Sequence, residues 1–563
     1  MSQILVEQLT KLLSSDNIKT ETKQTEYYRH GFRSGSGDAV AVVFPQTLMQ
    51  LWRVLQACVD ADAIIIMQAA KTGLTEGSTP NGTYDRPVIV INTLAMNKIE
   101  LLNDGKQILS FPGASLFQLE EILQPIQRTP HSVIGSTCIG ASIIGGVANN
   151  SGGALVKRGP SYTQASLFAQ VNQDGKLELI NHLGIDLGDT PEEIINHLEA
   201  GDYNKNPTND GRATSSDDYI DIVRDVDADT PARFNADKRR LFEASGCAGK
   251  IAVFAVILDS FAIPQKEQTY YIGTNDTQVF ARLRRKLLQG ENLPDVGEYM
   301  HRDIFDISDK YGKDTFLAIK HLGTKRMPKL FATKGRIDAI VSKFPFLPNH
   351  LSDCFIQAFT KILPKHLPKR LLDYRTKYEH HLILKMTDNG IAEADNMLKA
   401  FFDEPTNEGG YFVCDATEAQ SAYLHRFAAA GAAIRYETVH HKNVEGLIAL
   451  DIALRRNDMN WLEDLPATIA DKLELKLYYG HFMCYVFHQD YIIKKGEDVQ
   501  AVKKAMLAYL DSRGAKYPAE HNVGHIYEAE DDLRKFYQSL DPTNRFNPGI
   551  GKTDKHARNC SCG

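Results

Sequence analysis

The sequence predicts an α+β protein of several domains, with a mostly helical, basic segment set between mixed regions. Three observations predict it. Residues 39–258 alternate short β-branched runs with helical stretches. A mixed pattern resumes at about residue 378. Between them lies a stretch whose charge departs sharply from the rest of the chain. At 563 residues the protein is too long for one ordinary core, and two to four domains are expected.

The N-terminal "MSQILVEQLTKLLSSDN" reads as an amphipathic helix with Leu5, Leu9, Leu12 and Leu13 on one face. It lacks the basic start and long apolar core of a signal peptide. The runs "AVAVVF", "AIIIMQAA", "PVIVINT", "QILSFPG" and "KIAVFAVILD" read as strands. "QTLMQLWRVLQACVDAD" reads as a helix, with Leu48, Leu51, Val54, Leu55 and Cys58 near a 3.6-residue period. Residues 186–237 are rich in Asp, Asn and Thr and read as loops. The most apolar run, 251–258, is too short to cross a bilayer. None of the eight cysteines forms a CxxC pair. They read as reduced thiols, an iron–sulfur cluster is not expected, and Cys560 and Cys562 fall in a polar tail.

Residues 325–377 carry twelve Lys or Arg against three Asp, a charge of +9. The whole chain carries −7, so everything else sums to −16. Phe331, Phe344, Phe346, Phe355 and Phe359 accompany the charge, with five prolines. Cations interleaved with apolar side chains suit an anionic phospholipid surface, at about 1 kcal/mol per cation. A solvated basic face and a nucleic-acid surface are the competing readings. The acidic remainder and the lack of a nucleic-acid motif argue against the latter, so no nucleic-acid partner is expected. Further on, "HHLILKM", "YFVCDA" and "YGHFMCYVFHQDY" read as strands. Residues 392–402, 416–431 and 442–456 read as helices, and a last helix precedes "KYPAEHNVGH".

Two glycine-bearing loops stand out. The first, "MQAAKTGLTEGSTPNG" (67–82), follows a strand, so its amides can form an anion-binding nest. The second, "GASIIGGVANNSGGALVKRGP" (140–160), has six glycines, five of them in its first fourteen residues, which lets a backbone approach something closely. It is not a P-loop: after the spaced Gly140 and Gly145 come Gly146 and Val147, not Lys and Ser/Thr. Nor does it match the G-x-G-x-x-G of a dinucleotide fold.

These loops, with "SVIGSTCIGASIIGGVANNSGG" (132–153), resemble the FAD-binding domain of the vanillyl-alcohol oxidase superfamily, the p-cresol methylhydroxylase (PCMH) type. The strings "GFRSGSGDAVAVVFP", "RDVDADTPARFNAD", "EYMHRDIFDI", "HRFAAAGAAIRY" and "YPAEHNVGH" resemble the respiratory quinone-dependent D-lactate dehydrogenases, across nearly the whole chain. The resemblance implies FAD as cofactor. Ala69, Ala70, Lys71, Thr72, Gly73, Gly77 and Ser78 would wrap the pyrophosphate. Gly135, Ser142 and Gly152 would line the isoalloxazine and ribityl side, and Val253 would touch the flavin from a buried strand.

Oxidising a 2-hydroxy acid calls for a base and a carboxylate anchor. His521, beside Glu520, suits the first role, with His481 next in line. Arg426 or Arg435 suits the second, because a planar fork fixes a carboxylate. In a single strand His481 and His488 would face opposite ways unless a bulge or turn intervenes. Elsewhere in the superfamily "GHxGDGNxH" supplies a two-His metal site. Here Cys484-Tyr485-Val486 replaces the DGN, so a metal at His481, His488 and Glu520 stays open.

The resemblance implies oxidation of D-lactate with transfer of electrons to membrane quinone, by a peripheral protein on the cytoplasmic side of a bacterial inner membrane. Residues 1–259 and 511–563 would form the FAD domain. Residues 260–300, 378–415 and 441–510 would form an α+β cap, and 301–377 with 416–440 the membrane-facing part. The alternatives are a related dehydrogenase for D-2-hydroxyglutarate or glycolate, and a non-catalytic lipid- or polyanion-binding protein.

Overall fold

The computed structural model describes residues 2–132, 140–207, 210–323, 326, 333 and 351–558. Its first sheet has four strands, in the order Ile18–Lys19, Ala41–Val43, Val88–Asn92 and Ile64–Gln68. The last three run parallel. They read as near-continuous Val and Ile because elements cover both faces. The helix Leu48–Asp60 packs on one face, capped by Thr47, whose side chain accepts from the Gln50 amide. The helix Ser2–Leu13 buries Leu5, Leu9 and Leu13, whereas Leu12 stays 37% exposed. The i, i+4, i+8 stripe is thus narrower than the sequence suggests.

A second, antiparallel sheet of five strands centres on Ala252–Asp259, flanked by Gln107–Ser110 and Ser166–Val171. Ala252, Phe254 and Ile257 pack towards the first sheet. Val253, Val256 and Leu258 pack against the helices Leu116–Leu123 and Ile143–Ala148. Within the stretch expected as loops, Pro191–Ala200 and Tyr219–Arg224 are helical. The first carries a capping box between Thr190 and Glu193.

The third sheet is antiparallel with seven strands, in the order Gly410–Val413, Glu267–Thr274, His380–Thr387, Val296–His301, Leu473–His481, Val486–Lys494 and Val444–Ala453. The last corrects the helix expected at 442–456. That segment pairs along its length with Val486–Lys494 and buries Ile448, Leu450 and Ile452, so long-range pairing overrides its helix-forming residues. Residues 416–431 form not one helix but part of two, Ala416–Phe427 and Ala429–Val439.

One face of this sheet packs Thr277–Gln289, Gly390–Asp403 and Val499–Ser512. Part of the other face packs Arg302–Tyr311 and Ala429–Val439 through Met300, Phe305, Tyr479 and Ala433. Glu298 pairs with His481, and Tyr479 and Asp451 both pair with His488. Cross-strand partners, and residues two apart on a strand, share a face. Glu298, His481, His488 and Asp451 therefore lie together beside those helices.

Candidate active site

The hairpin turn Phe482–Cys484, closed by Tyr485 in the left-handed region at φ 54°, brings His481 and His488 onto one face with ring centroids 5.3 Å apart. This is the intervening turn that their seven-residue spacing required. His481 Nδ1 lies 2.5 Å from Glu298 Oε1, and its Nε2 lies 3.4 Å from Glu520 Oε2. His488 Nε2 lies 3.8 Å from the same oxygen of Glu520, and its Nδ1 lies 3.6 Å from Asp451. Arg426 forms an ion pair with Glu298 at 2.8 Å and covers the Tyr479 ring at 4.6 Å. Arg233 donates to the second oxygen of Glu520 and to the Gly153 carbonyl. Asp451 accepts from the Glu520 amide at 2.7 Å.

The electrostatics follow from burial set against neighbours. Burial alone would raise Glu298, but Arg426 and His481 outweigh it and hold its pKa down to about 2. Burial opposes a charge on His481, yet Glu298 and Glu520 overcome it and raise its pKa to about 10. Burial would likewise raise Glu520, but His481 and Arg233 hold it well below the usual carboxylate range. Burial pushes His488 down to about 3 and lifts Asp451 to about 6, the latter partly offset by His521. At neutral pH the cluster thus holds a protonated His481 between two carboxylates and a neutral His488 beside it.

The glycine loops end at this cluster. A Cβ on Gly152 would meet Arg233 and Glu520 at 2.5–2.7 Å, and one on Gly77 would meet the Asn522 side chain at 2.5 Å. Only glycine lets these two backbones lie so close. Asn522 also donates to Asn149 and accepts from Thr75 at 3.3 Å, so the loops at 67–82, 140–153 and 518–525 converge. By contrast, a Cβ on Gly73 or Gly140 meets no atom within 4 Å. On the converging loops, Asn150 Oδ1 and His525 Nε2 are buried without a hydrogen-bond partner among the described residues. An open glycine-lined groove with orphaned buried polar atoms fits FAD.

Ala69, Ala70, Lys71, Thr72, Gly73, Gly77 and Ser78 are all half-buried along the first loop. Lys71 sits in the left-handed region at φ 55°, and its ammonium donates to the carbonyls of Tyr27 and His30. Its side chain is thereby committed to the protein, leaving its backbone for the nest. Ser142 caps the helix Ile143–Ala148 through the Gly145 amide, and Val253 is buried in the central strand of the five-stranded sheet. Gly135 lies outside the described residues.

His521 lies 4.0 Å from Asp451, with its side chain 31% exposed. The carboxylate nearest it is Asp451 rather than its neighbour Glu520, which is turned to Arg233 and His481. Arg426 joins the cluster. Arg435 does not: it pairs with Asp314 at 2.6 Å and Asp353 at 3.6 Å, among the helices. Sequence reasoning missed Glu298, Arg233 and Asp451. The first two sit in "EYMHRDIFDI" and "RDVDADTPARFNAD", strings that carried the resemblance. Asp451 was hidden by the helix expected around it.

Residues 39–180 match the family model described as FAD binding domain, and residues 269–559 match the one described as D-lactate dehydrogenase, membrane binding. The chain is 58% identical to the quinone-dependent D-lactate dehydrogenase of Escherichia coli K12, covering 98% of this chain and 97% of that one. It is 44% identical to the enzyme of that name from Corynebacterium glutamicum, with 98% and 97% covered. Among solved structures, p-cresol methylhydroxylase with substrate bound superposes with a TM-score of 0.58 at 12% identity, over 98% of this chain and 97% of that one. An alkyldihydroxyacetonephosphate synthase superposes at 0.57 and 13%, over 97% and 84%. These likenesses establish a PCMH-type fold, and the chain carries an FAD-binding domain. With identity of 44–58% along its whole length, the chain belongs to the quinone-dependent D-lactate dehydrogenase family.

Proposed function

We propose that the protein oxidises D-lactate to pyruvate and passes the electrons to membrane quinone. The observation that carries this reading is the meeting of the glycine-lined groove with the His481–Glu520–Arg426 cluster. Ala69, Ala70, Lys71, Thr72, Gly73, Gly77, Ser78, Ser142, Gly152 and Val253 would hold FAD, which would supply the hydride acceptor for the substrate Cα. Arg426 holds the substrate carboxylate: its Nε is buried without a partner among the described residues, while Nη2 is fixed by Glu298. His521, the more exposed histidine of the site, removes the hydroxyl proton. Protonated His481, held between Glu298 and Glu520, keeps a positive charge in the site. Purified protein is expected to show flavin absorbance that bleaches anaerobically with D-lactate and not with NADH. Bleaching by NADH alone would sink the reading.

His481, His488 and Glu520 place one ligand atom each within 4.8 Å of one another, a set that could hold a divalent ion. Arg233 and Arg426 offset two of the carboxylates, and Cys484, Tyr485 and Val486 stand where the superfamily's metal-binding string has DGN, so no resident ion is expected. Dialysis against a chelator is therefore expected to leave turnover unchanged. A loss that one divalent ion per chain restores would instead identify the trio as a metal centre.

The membrane surface is proposed to be the outer face of Leu351–Thr360 and the turn after it. Phe355, Phe359 and Ile362 are 74%, 53% and 76% exposed, in near-helical register, with Lys361, Lys365 and Lys369 exposed alongside. No helix among the described residues is long and apolar enough to cross a membrane. Arg370 and Arg375, counted in the basic segment, are instead committed to Glu418 and Asp306. The basic residues at 325, 329, 334, 336 and 343 lie outside the described residues. We expect flotation with anionic liposomes to weaken when Lys361, Lys365 and Lys369 become Gln. The salt-resistant part should vanish when Phe355 and Phe359 become Ser, because charge is screened within about 8 Å and apolar insertion is not. Dye-linked turnover should stay normal in both. If both variants float like the wild type in high and low salt, this helix is not the docking surface.

A further inference from the structure

Beneath the exposed helix lies a buried feature that D-lactate oxidation does not use. His366 and His425 are 7% and 2% exposed, with ring centroids 6.3 Å apart. His366 has no hydrogen-bond partner on either ring nitrogen among the described residues, and His425 has only a weak contact with the Phe305 backbone. His366 Nδ1 comes only within 3.7 Å of Asp309. Aromatic rings pack edge-on against the pair: Phe316 lies 4.5 Å from His366 at an interplanar angle of 69°, and Phe305 lies 4.2 Å from His425 at 62°. Burial, with Lys313 and Lys320 nearby, lowers His366 to about 4, and burial with His366 nearby lowers His425 to about 3. Both rings are thus neutral at pH 7, each with one N–H to donate and one bare nitrogen to accept.

A buried polar group left unpaired costs about 1–3 kcal/mol, and native proteins keep few of them. Two side by side call for a ligand that pairs with both. The position narrows its chemistry. His366 closes the segment that follows the exposed Phe355, Phe359 and Ile362, so one side looks towards an apolar phase. His425 packs on Phe305, which shares an apolar cluster with Tyr479, the ring that Arg426 covers, so the other side borders the oxidation chemistry.

We infer that His366 and His425, enclosed by Phe305 and Phe316, form the binding site for the quinone ring, their N–H groups donating to its carbonyl oxygens. The aromatic rings supply apolar walls for the ring. Once the quinone has taken up two electrons and two protons, a tautomer exchange that moves each N–H to the far nitrogen leaves a bare nitrogen facing each new hydroxyl, so the same pair suits the oxidised and the reduced form. The inference rests on the proposed quinone-linked oxidation, and the test separates the two.

His366→Leu and His425→Leu remove unpaired polar atoms from an apolar setting, so they are expected to fold and melt like the wild type. D-Lactate turnover with a soluble dye should stay normal. The KM for decylubiquinone should rise roughly tenfold for each hydrogen bond lost. An azido-benzoquinone photolabel should mark peptides within 361–372 and 416–427 of the wild-type holoenzyme and lose them in the double variant. An unchanged quinone KM in both variants, or wild-type labelling only elsewhere, overturns the site. The wild-type labelling decides the matter even if a variant fails to fold. Loss of D-lactate oxidation with dye and quinone alike in the wild type would overturn the functional reading instead.

Discussion

Glu520→Ala is expected to abolish D-lactate oxidation and to cost about 3–5 kcal/mol of stability, the range for removing one partner of a buried ion pair. Glu520 is 8% exposed, and the Arg233 side chain that pairs with it is 3% exposed. Alanine leaves that guanidinium without its counter-charge and takes away the oxygen facing His481 and His488. The companion variant separates the two effects. Arg233→Met with Glu520→Leu removes both charges, and apolar replacement of a buried pair is often neutral or stabilising. Urea denaturation should show stability restored, while turnover with a soluble dye stays lost. Recovery of turnover in the double variant would reduce the pair to a structural role. Wild-type stability in Glu520→Ala would show that Arg233 finds another partner.

His521→Ala is expected to keep its FAD and lose turnover by about 10²–10⁴-fold, the usual loss on removing a general base. The imidazole is the partly exposed member of the site, and Asp451 is the carboxylate nearest it. His481 is fixed between Glu298 and Glu520 and holds its proton, which disqualifies it as the base in this state. Stopped-flow bleaching of the flavin by D-lactate reads the step directly. Near-normal bleaching in His521→Ala would transfer the role elsewhere in the cluster.

Local pattern made part of this molecule readable from its residues. The buried parallel strands announce themselves as unbroken Val and Ile, and the glycine loops announce a close backbone approach. His481, His488 and Glu520 were singled out by their resemblance to the superfamily's two-His string, although their meeting depends on a turn that the spacing alone does not dictate. The failures share a cause. Val444–Ala453 carries Glu, Leu and Ala in helix-like order, and only its pairing with Val486–Lys494 makes it a strand. Asp451 was lost with it. Arg435 has the right chemistry for an anchor, but the fold commits it to Asp314. Arg233 and Glu520 are 287 residues apart, a separation across which no local pattern carries information.

That separation sets the order in which a newly made chain can become competent. The residues that close the groove are among the last synthesised. Asn522 bonds Thr75 and Asn149, Asn544 receives Lys250, and Phe546 bridges to Ile65 beside the parallel strands. At about 5–20 residues per second, the ribosome delivers these partners long after the loops they complete. The first glycine loop therefore waits, unlidded, while hundreds of residues are added. Cofactor capture is expected to wait for residues 518–546, because a chain cut short before residue 520 lacks the partners of both glycine loops.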